Sequence, residues 1–282
     1  MHPELFSIGR FSVKSWGLML AISVVISTIL AVRRSKKFGV DPNIIYDLIF
    51  VVVVSAIVGS RLWYVAFHLD EFSGNWLDIV NPFSGPGGFG IAGLSMMGGV
   101  ALVVITVAIY AWIKKLNFPL VGDVIAPMFL LGAGITRIGC FLNGCCYGRP
   151  TSGALSCVFT DGPAASYWQQ FIHTYPASGM TGLIPTQLIA SAASFALFFF
   201  VLWIEKWRYF PGYTSWIVLT AYSIKRFAVD QFRTYPADQV LGHIGPFMIT
   251  VNEIILAGLV IFSAIMFVIG SSKARKHKGQ KA

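Results

Sequence analysis

Residues 44–66 read IIYDLIFVVVVSAIVGSRLWYVA, an apolar run broken only by Asp47 near its start and Arg61 near its end. A helix needs roughly 20 mostly apolar residues to cross the hydrocarbon of a bilayer, and this run is long enough. It lacks the in-out alternation of a barrel strand. In lipid no water pairs with the backbone, so the segment must close its hydrogen bonds within itself as an α-helix. Comparable stretches lie near residues 15–33, 91–113, 119–137, 183–204, 213–232 and 248–270. Together they predict an all-α polytopic membrane protein with about seven transmembrane helices. Composition agrees: of 282 residues, 56% are hydrophobic and 12% charged, which is too apolar for a soluble domain.

Lysine and arginine in short loops are retained on the cytoplasmic side. Here the basic clusters follow alternate spans: Arg33, Arg34, Lys36 and Lys37; Lys114 and Lys115; Lys206 and Arg208; then Lys273, Arg275, Lys276, Lys278 and Lys281. They share one face if the N-terminus is outside and the C-terminus cytoplasmic. The segment 68–88 carries Asp70, Glu71 and Asp78 but no Lys or Arg, and fits the outer side. The formal charge of +9 is therefore an orientation signal. Dispersed over separate loops, it offers no continuous face for nucleic acid.

The chain reads as a single seven-span membrane domain over residues 1–270, with an outer, periplasmic head at about 139–181 between spans 4 and 5 and a basic cytoplasmic tail at 271–282. The first apolar run ends at a basic cluster rather than at a small-residue cleavage site, so it is expected to stay in the protein. A second outer loop, 68–90, contains the Pro/Gly-rich NPFSGPGGFG (81–90), suited to covering a substrate. All four cysteines, Cys140, Cys145, Cys146 and Cys157, fall in or beside the head. One disulfide is plausible there. The spacing matches no common zinc pattern, and the vicinal Cys145–Cys146 pair is not the C-x-x-C of dithiol redox proteins.

An ionised side chain within a spanning helix costs at least ~2.5 kcal/mol on insertion scales, so each one needs a partner or a task. Arg61 closes the second span, Asp123 lies in the fourth, Arg137 follows at its end, and Arg226, Asp230 and Arg233 lie in the sixth. On a helix, positions 226, 230 and 233 fall within about 60° of one another, and Tyr222 joins that face. An internal salt-bridge network is one reading. Arginines nevertheless outnumber the carboxylates Asp123 and Asp230, which leaves guanidinium forks suited to phosphate oxygens. All four arginines lie toward the outer ends of their spans, where a phospholipid headgroup is the natural anion. The glycines of 132–148 allow close approach of backbone to ligand, and Asn143 offers an amide to a phosphate or a glycerol hydroxyl.

The segment GAGITRIGCFLNGCCYGR (132–149) resembles the signature of the prolipoprotein diacylglyceryl transferases of bacterial inner membranes, approximately G-A-G-R-x-G-N-F-x-N-G-E-x-x-G-R. Arg137, Gly139, Asn143, Gly148 and Arg149 match it. Further resemblance runs through WGLML (16–20), GSRLWYV (59–65), VGDVIAP (121–127), PTQL (185–188) and AYSIKRFAVDQFR (221–233). The resemblance implies a multi-pass inner-membrane enzyme that moves a diacylglyceryl group from phosphatidylglycerol to the lipobox cysteine of a secreted prolipoprotein, forming a thioether and releasing glycerol phosphate. It implies catalytic roles for Arg137 and Arg226 as clamps on the lipid phosphate. It implies substrate contacts from Arg61, Gly98, Gly99, Asn143, Tyr222, Asp230 and Arg233, and it implies neither metal nor organic cofactor.

The departures fall at polar positions. Met97 stands where the family carries a histidine in Ser-x-His-Gly-Gly. Cys140 and Cys145 replace the signature's first asparagine and its acid, Ile184 the histidine of His-Pro-Ser-Gln, Trp16 a tyrosine and Asp230 a glutamate. Methionine accepts no proton, so a transferase of this sequence must deprotonate its thiol by another group, by the arginine field or by water. His173, in the head, is the nearest histidine by topology. The alternative is a divergent paralogue that binds anionic phospholipid without this activity, or with another acceptor.

Overall fold

The computed structural model describes residues 2–8, 11–72, 79, 95–236 and 239–279. It is mostly helical. The helices are α1 (Ser15–Phe38), α2 (Pro42–Phe67), α3 (Met96–Ile113), α4 (Phe118–Leu142), α5 (Pro163–Thr174), α6 (Thr186–Ile204), α7 (Tyr213–Asp230) and α8 (Val251–Gly279). Among the described residues, three two-stranded sheets accompany them: β1 (Glu4–Ile8) with β2 (Phe11–Lys14), and the antiparallel pairs β3 (Pro150–Thr151) with β4 (Gly182–Leu183) and β5 (Val240–Ile244) with β6 (Phe247–Thr250). Among the described residues, five helices are long and apolar enough to cross a membrane: α1, α2, α4, α6 with its short 3-10 extension, and α8. Helix α3 is apolar but shorter. In α7, Lys225, Arg226 and Asp230 interrupt the apolar pattern.

Several boundaries differ from the sequence reading. Helix α4 runs five residues past the expected end at 137, so Gly139 and Cys140 are helical. Helix α8 continues past the expected end of its span at 270, through Gly279. The third apolar run is described from residue 95 onward, and the NPFSGPGGFG stretch lies outside the described residues. Between α4 and α6 the chain builds a further helix, α5, with no counterpart in the expected spans.

The chain forms two compact units: Met1–Glu4, Lys14–Ser27 and Gly122–Ala282 in one, Leu5–Val13 and Thr28–Val121 in the other. In the second unit, α2 starts on Asp41, whose Oδ1 accepts from the Asn43 amide at 2.9 Å, with Pro42 in the first turn, where its fixed φ suits the helix and no donor is lost. Helix α2 packs along α3. Thr106 Oγ1 donates to Ser55 Oγ at 2.8 Å, and Tyr110 Oη to Asp47 Oδ2 at 2.7 Å. The two backbones meet at Gly59 and Gly98, where a Cβ on Gly98 would overlap the Trp63 side chain and the Gly59 carbonyl. Small residues that let helices approach closely are the usual device of membrane packing. Gly98→Ala is therefore expected to cost about 1–3 kcal/mol by overpacking, read as a lower thermal midpoint in detergent. An unchanged midpoint would refute the close contact.

In the first unit, helices are tied by hydroxyls. Ser27 Oγ donates to Met128 O at 3.1 Å, Thr136 Oγ1 to Ser23 Oγ at 3.2 Å and Ser191 Oγ to Gly134 O at 2.8 Å. Thr220 and Ser263 share a bond of 2.7 Å between α7 and α8. Asp123, fully buried, accepts from the Gly212 amide at 2.8 Å and from the Ser215 amide and hydroxyl at 2.9 and 3.0 Å. It thereby holds the N-terminus of α7, where a carboxylate offsets orphan amides and the helix dipole. The α5 region has its own small core of Phe159, Ala164, Ala165, Trp168 and Leu183.

Candidate functional site

The site grows from the end of α4. Arg137 and Cys140, three residues apart, share a face of the helix. Past Leu142 the chain folds back: the Asn143 amide donates to Gly139 O at 2.9 Å, that of Gly144 to Phe141 O at 3.1 Å and that of Cys145 to Cys140 O at 3.0 Å. Cys146 sits at φ +61°, a left-handed conformation costly for a residue with a Cβ. The turn is fixed from α6. Gln187 Nε2 donates to Cys145 O at 2.8 Å and Thr186 Oγ1 to Cys146 O at 2.7 Å.

The next residues tie this loop to the end of α7. Gly148 forms an antiparallel bridge with Arg233, its amide donating to Ile184 O at 2.9 Å, and the Arg149 amide donates to Phe232 O at 3.0 Å. A Cβ at Gly148 would lie 2.7 Å from Phe232 O and 2.8 Å from Ile184 O, so this crossing needs glycine. It brings Arg233 beside the cysteine loop.

Helix α7 supplies the rest. Asp230 is fully buried, with Arg226 Nε 3.0 Å from its Oδ2 and Arg233 Nη1 3.5 Å from its Oδ1. Arg233 also donates to Tyr235 Oη at 3.2 Å. Lys225 Nζ donates to Ser194 Oγ at 2.8 Å and lies 4.6 Å from the centre of the Tyr222 ring. Tyr222 packs edge-on against Phe129 of α4 at 4.8 Å. Arg137 is within electrostatic reach of Tyr222, Lys225, Cys140 and Cys146, and hydrogen-bonds the Cys146 sulfur. Among the described residues the neighbourhood thus holds four cations, Arg137, Lys225, Arg226 and Arg233, and two carboxylates, Asp230 and Glu253, the latter accepting from the Thr250 amide at 2.8 Å at the start of α8. This surplus of positive charge, with planar forks among its donors, is suited to an anion. Beside it, between α7 and α8, lies an apolar cavity of about 560 Å³ lined by residues including Ile224, Phe227, Ile254, Leu256 and Ala257.

The cysteines are all free thiols, so the bridge that the sequence made plausible is not formed. The sulfurs of Cys140, Cys145 and Cys146 lie within 4.8 Å of one another. Hydrogen bonds from Cys140 and Cys145 pull the Cys146 thiol below its ordinary range, helped by the charges of Arg233 and Arg137. Cys157 stands apart, paired with Leu183 in the α5 region, and burial raises its thiol.

The structure brings Arg137, Asn143, Tyr222, Arg226, Asp230 and Arg233 together within the first unit. Asn143 is within hydrogen-bonding reach of the Cys145 sulfur. Asp123, grouped with the arginines on sequence, serves the start of α7 instead. Arg61, Gly98 and Gly99 belong to the second unit. There Arg61 is buried, its Nε donating to Ile79 O at 2.8 Å and its guanidinium 5.0 Å from the Phe72 ring centre, while the two glycines pack against α2. Met97 is 58% exposed, and His173 is exposed on α5. Sequence reasoning missed Lys225 and Gln187 as members of the site. The signal was present in a lysine within the apolar run of α7, beside Arg226.

A family model described as prolipoprotein diacylglyceryl transferase matches residues 3–270. Among curated relatives, the phosphatidylglycerol–prolipoprotein diacylglyceryl transferase of Clostridium tetani is 30% identical over 242 residues, 85% of this chain and 88% of that protein. Its counterpart from Bacillus cytotoxicus is 30% identical over 262 residues, 93% and 89% respectively. The second such protein of Clostridium perfringens is 27% identical over 281 residues, the whole length of both.

Proposed function

The chain belongs to the prolipoprotein diacylglyceryl transferase family, and we propose that its arginine-lined site carries out the transfer by clamping the donor lipid's phosphate. The enzyme moves the diacylglyceryl group of phosphatidylglycerol to the lipobox cysteine of a prolipoprotein. The acceptor thiol gives up its proton to solvent, its sulfur attacks the glyceryl carbon, the carbon–oxygen bond to phosphate breaks, and glycerol phosphate leaves with the bonding pair. Charge develops on the leaving phosphate, so preorganised donors there lower the barrier more than they aid ground-state binding. The observation that carries this reading is the cluster of Arg137, Lys225, Arg226 and Arg233 around a single fully buried carboxylate, Asp230. Arg137 and Arg226 hold the phosphate, Asp230 orients Arg226 and Arg233, and Tyr222 and Asn143 border the headgroup. The apolar cavity between α7 and α8 receives an acyl chain.

In this reading α3 and α7 also span, giving seven helices in all. Each has 18 residues, about 27 Å of helix, close to the thickness of the hydrocarbon core. The charged residues of α7 face the pocket instead of lipid. With the N-terminus outside, the basic clusters after α1, α3, α6 and α8 lie in the cytoplasm. Arg137 and the end of α7 then lie at the outer leaflet of the bacterial inner membrane, with the α5 region as a periplasmic head where secreted precursors arrive.

The test is transfer of labelled diacylglyceryl from phosphatidylglycerol to a lipobox-cysteine peptide by the purified protein in detergent. Thioether product is expected with the cysteine peptide and none with its serine analogue. Absence of product, with lipid binding intact, would instead support the second reading, a paralogue that holds anionic phospholipid without this acceptor. Met97, standing where the family signature carries a histidine, is the observation that favours it.

A further inference from the structure

Three sulfurs converge where the mechanism has no assigned use for them. Cys140 comes from the last turn of α4, and Cys145 and Cys146 from the turn that follows, yet all three Sγ atoms lie within 4.8 Å of one another. A tetrahedral zinc with bonds of ~2.3 Å sets its sulfur ligands about 3.8 Å apart, so closure of at most about 1 Å suffices. We propose that Cys140, Cys145 and Cys146 form a three-thiolate site for a zinc-like divalent ion, whose fourth position takes the acceptor thiol.

The surroundings are those of a metal centre. Arg137 reaches the Cys146 sulfur and Asn143 the Cys145 sulfur. Donors of this kind orient ligands and tune a bound ion. Three thiolates on a divalent ion carry one net negative charge and a fourth adds another, and Arg137 and Arg233 stand close enough to offset both. The turn that carries the ligands is tied down on both sides. Cys146 keeps a left-handed backbone at φ +61°, a conformation that persists where the neighbourhood over-determines it. The carbonyls of Cys145 and Cys146 are held by Gln187 and Thr186, each 1% exposed. Gln187 Oε1 is buried without a hydrogen-bond partner among the described residues, an acceptor that a donor on a bound group would satisfy. Three protein ligands with one open position is the arrangement of a reactive zinc site, whereas a structural site closes with four.

The second half of the proposal rests on the transferase reading and answers its missing base. A thiol bound to such an ion is deprotonated outright. Its proton passes to solvent, its sulfur forms the new bond to the glyceryl carbon, and the carbon–oxygen bond breaks toward the phosphate held by Arg137. One guanidinium then borders both nucleophile and leaving group.

The experiment uses the full chain in detergent, reduced, loaded with zinc and desalted, in parallel with a cobalt-loaded sample. Expected are about one ion per chain, sulfur-to-cobalt charge-transfer bands, and a rise in thermal midpoint on loading. Cys140→Ala, Cys145→Ser and Cys146→Ser are expected to weaken binding at least tenfold and to lose the rise, while Cys157→Ser keeps both. Equal metal content in the parent and Cys146→Ser would overturn the site. Cobalt bands that shift with a lipobox-cysteine peptide but not with its serine analogue support the open position, and unmoved bands overturn it. Transfer that survives complete chelation overturns the role in the reaction. Metal binding and peptide-dependent bands without any transfer would uphold the site and sink the transferase reading instead.

Discussion

Arg137→Ala is expected to lower diacylglyceryl transfer by about 10²–10³-fold, the cost of removing one preorganised donor from a developing oxyanion. The residue stands where two demands meet. Its guanidinium hydrogen-bonds the Cys146 sulfur and lies within reach of Tyr222 and Lys225, and its five donors leave room for a phosphate besides. Truncation removes the fork and leaves the other cations in place. Lipid affinity should therefore fall less than turnover, because binding to a cationic pocket is partly non-directional whereas stabilisation of the leaving phosphate is not. Arg137→Lys keeps the charge without the planar fork and should fall between the two. Initial rates against phosphatidylglycerol concentration separate kcat from KM. A loss confined to KM would reassign Arg137 to ground-state binding, and parental kinetics in both variants would remove it from the site.

The class of fold was legible because a bilayer imposes a length and a hydropathy that few other environments require. Runs such as 183–204 fixed α6 within three residues of its observed Thr186–Ile204. The boundaries that slipped did so for local reasons. Arg137 looks like a stop signal on hydropathy alone, yet it stays helical because α4 buries one face against its neighbours to its last turn, with Cys140 only 5% exposed. The helix α5 escaped notice because its apolar residues are spent on a small core around Trp168, so the segment never reaches the length of a span. Within the site, the grouping of Tyr222, Arg226, Asp230 and Arg233 followed from helical periodicity. The joining of that face to Arg137 did not, since it depends on the Gly148–Arg233 bridge between segments 85 residues apart. The cysteine cluster was hidden for a similar reason: a short-range spacing rule says nothing of a turn in which Cys146 adopts positive φ. Lys225 was passed over because it lies one position off the face that periodicity selects.

Asp230→Ala is expected to be the most destabilising single change at the site, by about 3–5 kcal/mol, because it strips the shared partner from two guanidiniums in a poorly solvated place. The carboxylate is fully buried, with Arg226 at 3.0 Å on one oxygen and Arg233 at 3.5 Å on the other, their side chains 18% and 16% exposed. Truncating either arginine instead leaves Asp230 with its other partner, so Arg226→Ala and Arg233→Ala should each cost less. The double variant Asp230→Ala with Arg226→Ala should be less unstable than the sum of the single changes, since it removes a charge that the first change orphans. Asp230→Glu preserves the charge and should stay near the parent. Thermal unfolding in detergent reads the series, and addition of phosphatidylglycerol sharpens it. If the freed guanidiniums take the lipid phosphate as a substitute counter-ion, the midpoint of Asp230→Ala should rise more with lipid than that of the parent. Its turnover should nevertheless stay low, because the forks are no longer held in place. Strict additivity in the double variant would show that Asp230 does not hold Arg226, leaving the order of the clamp to be set from α4 alone.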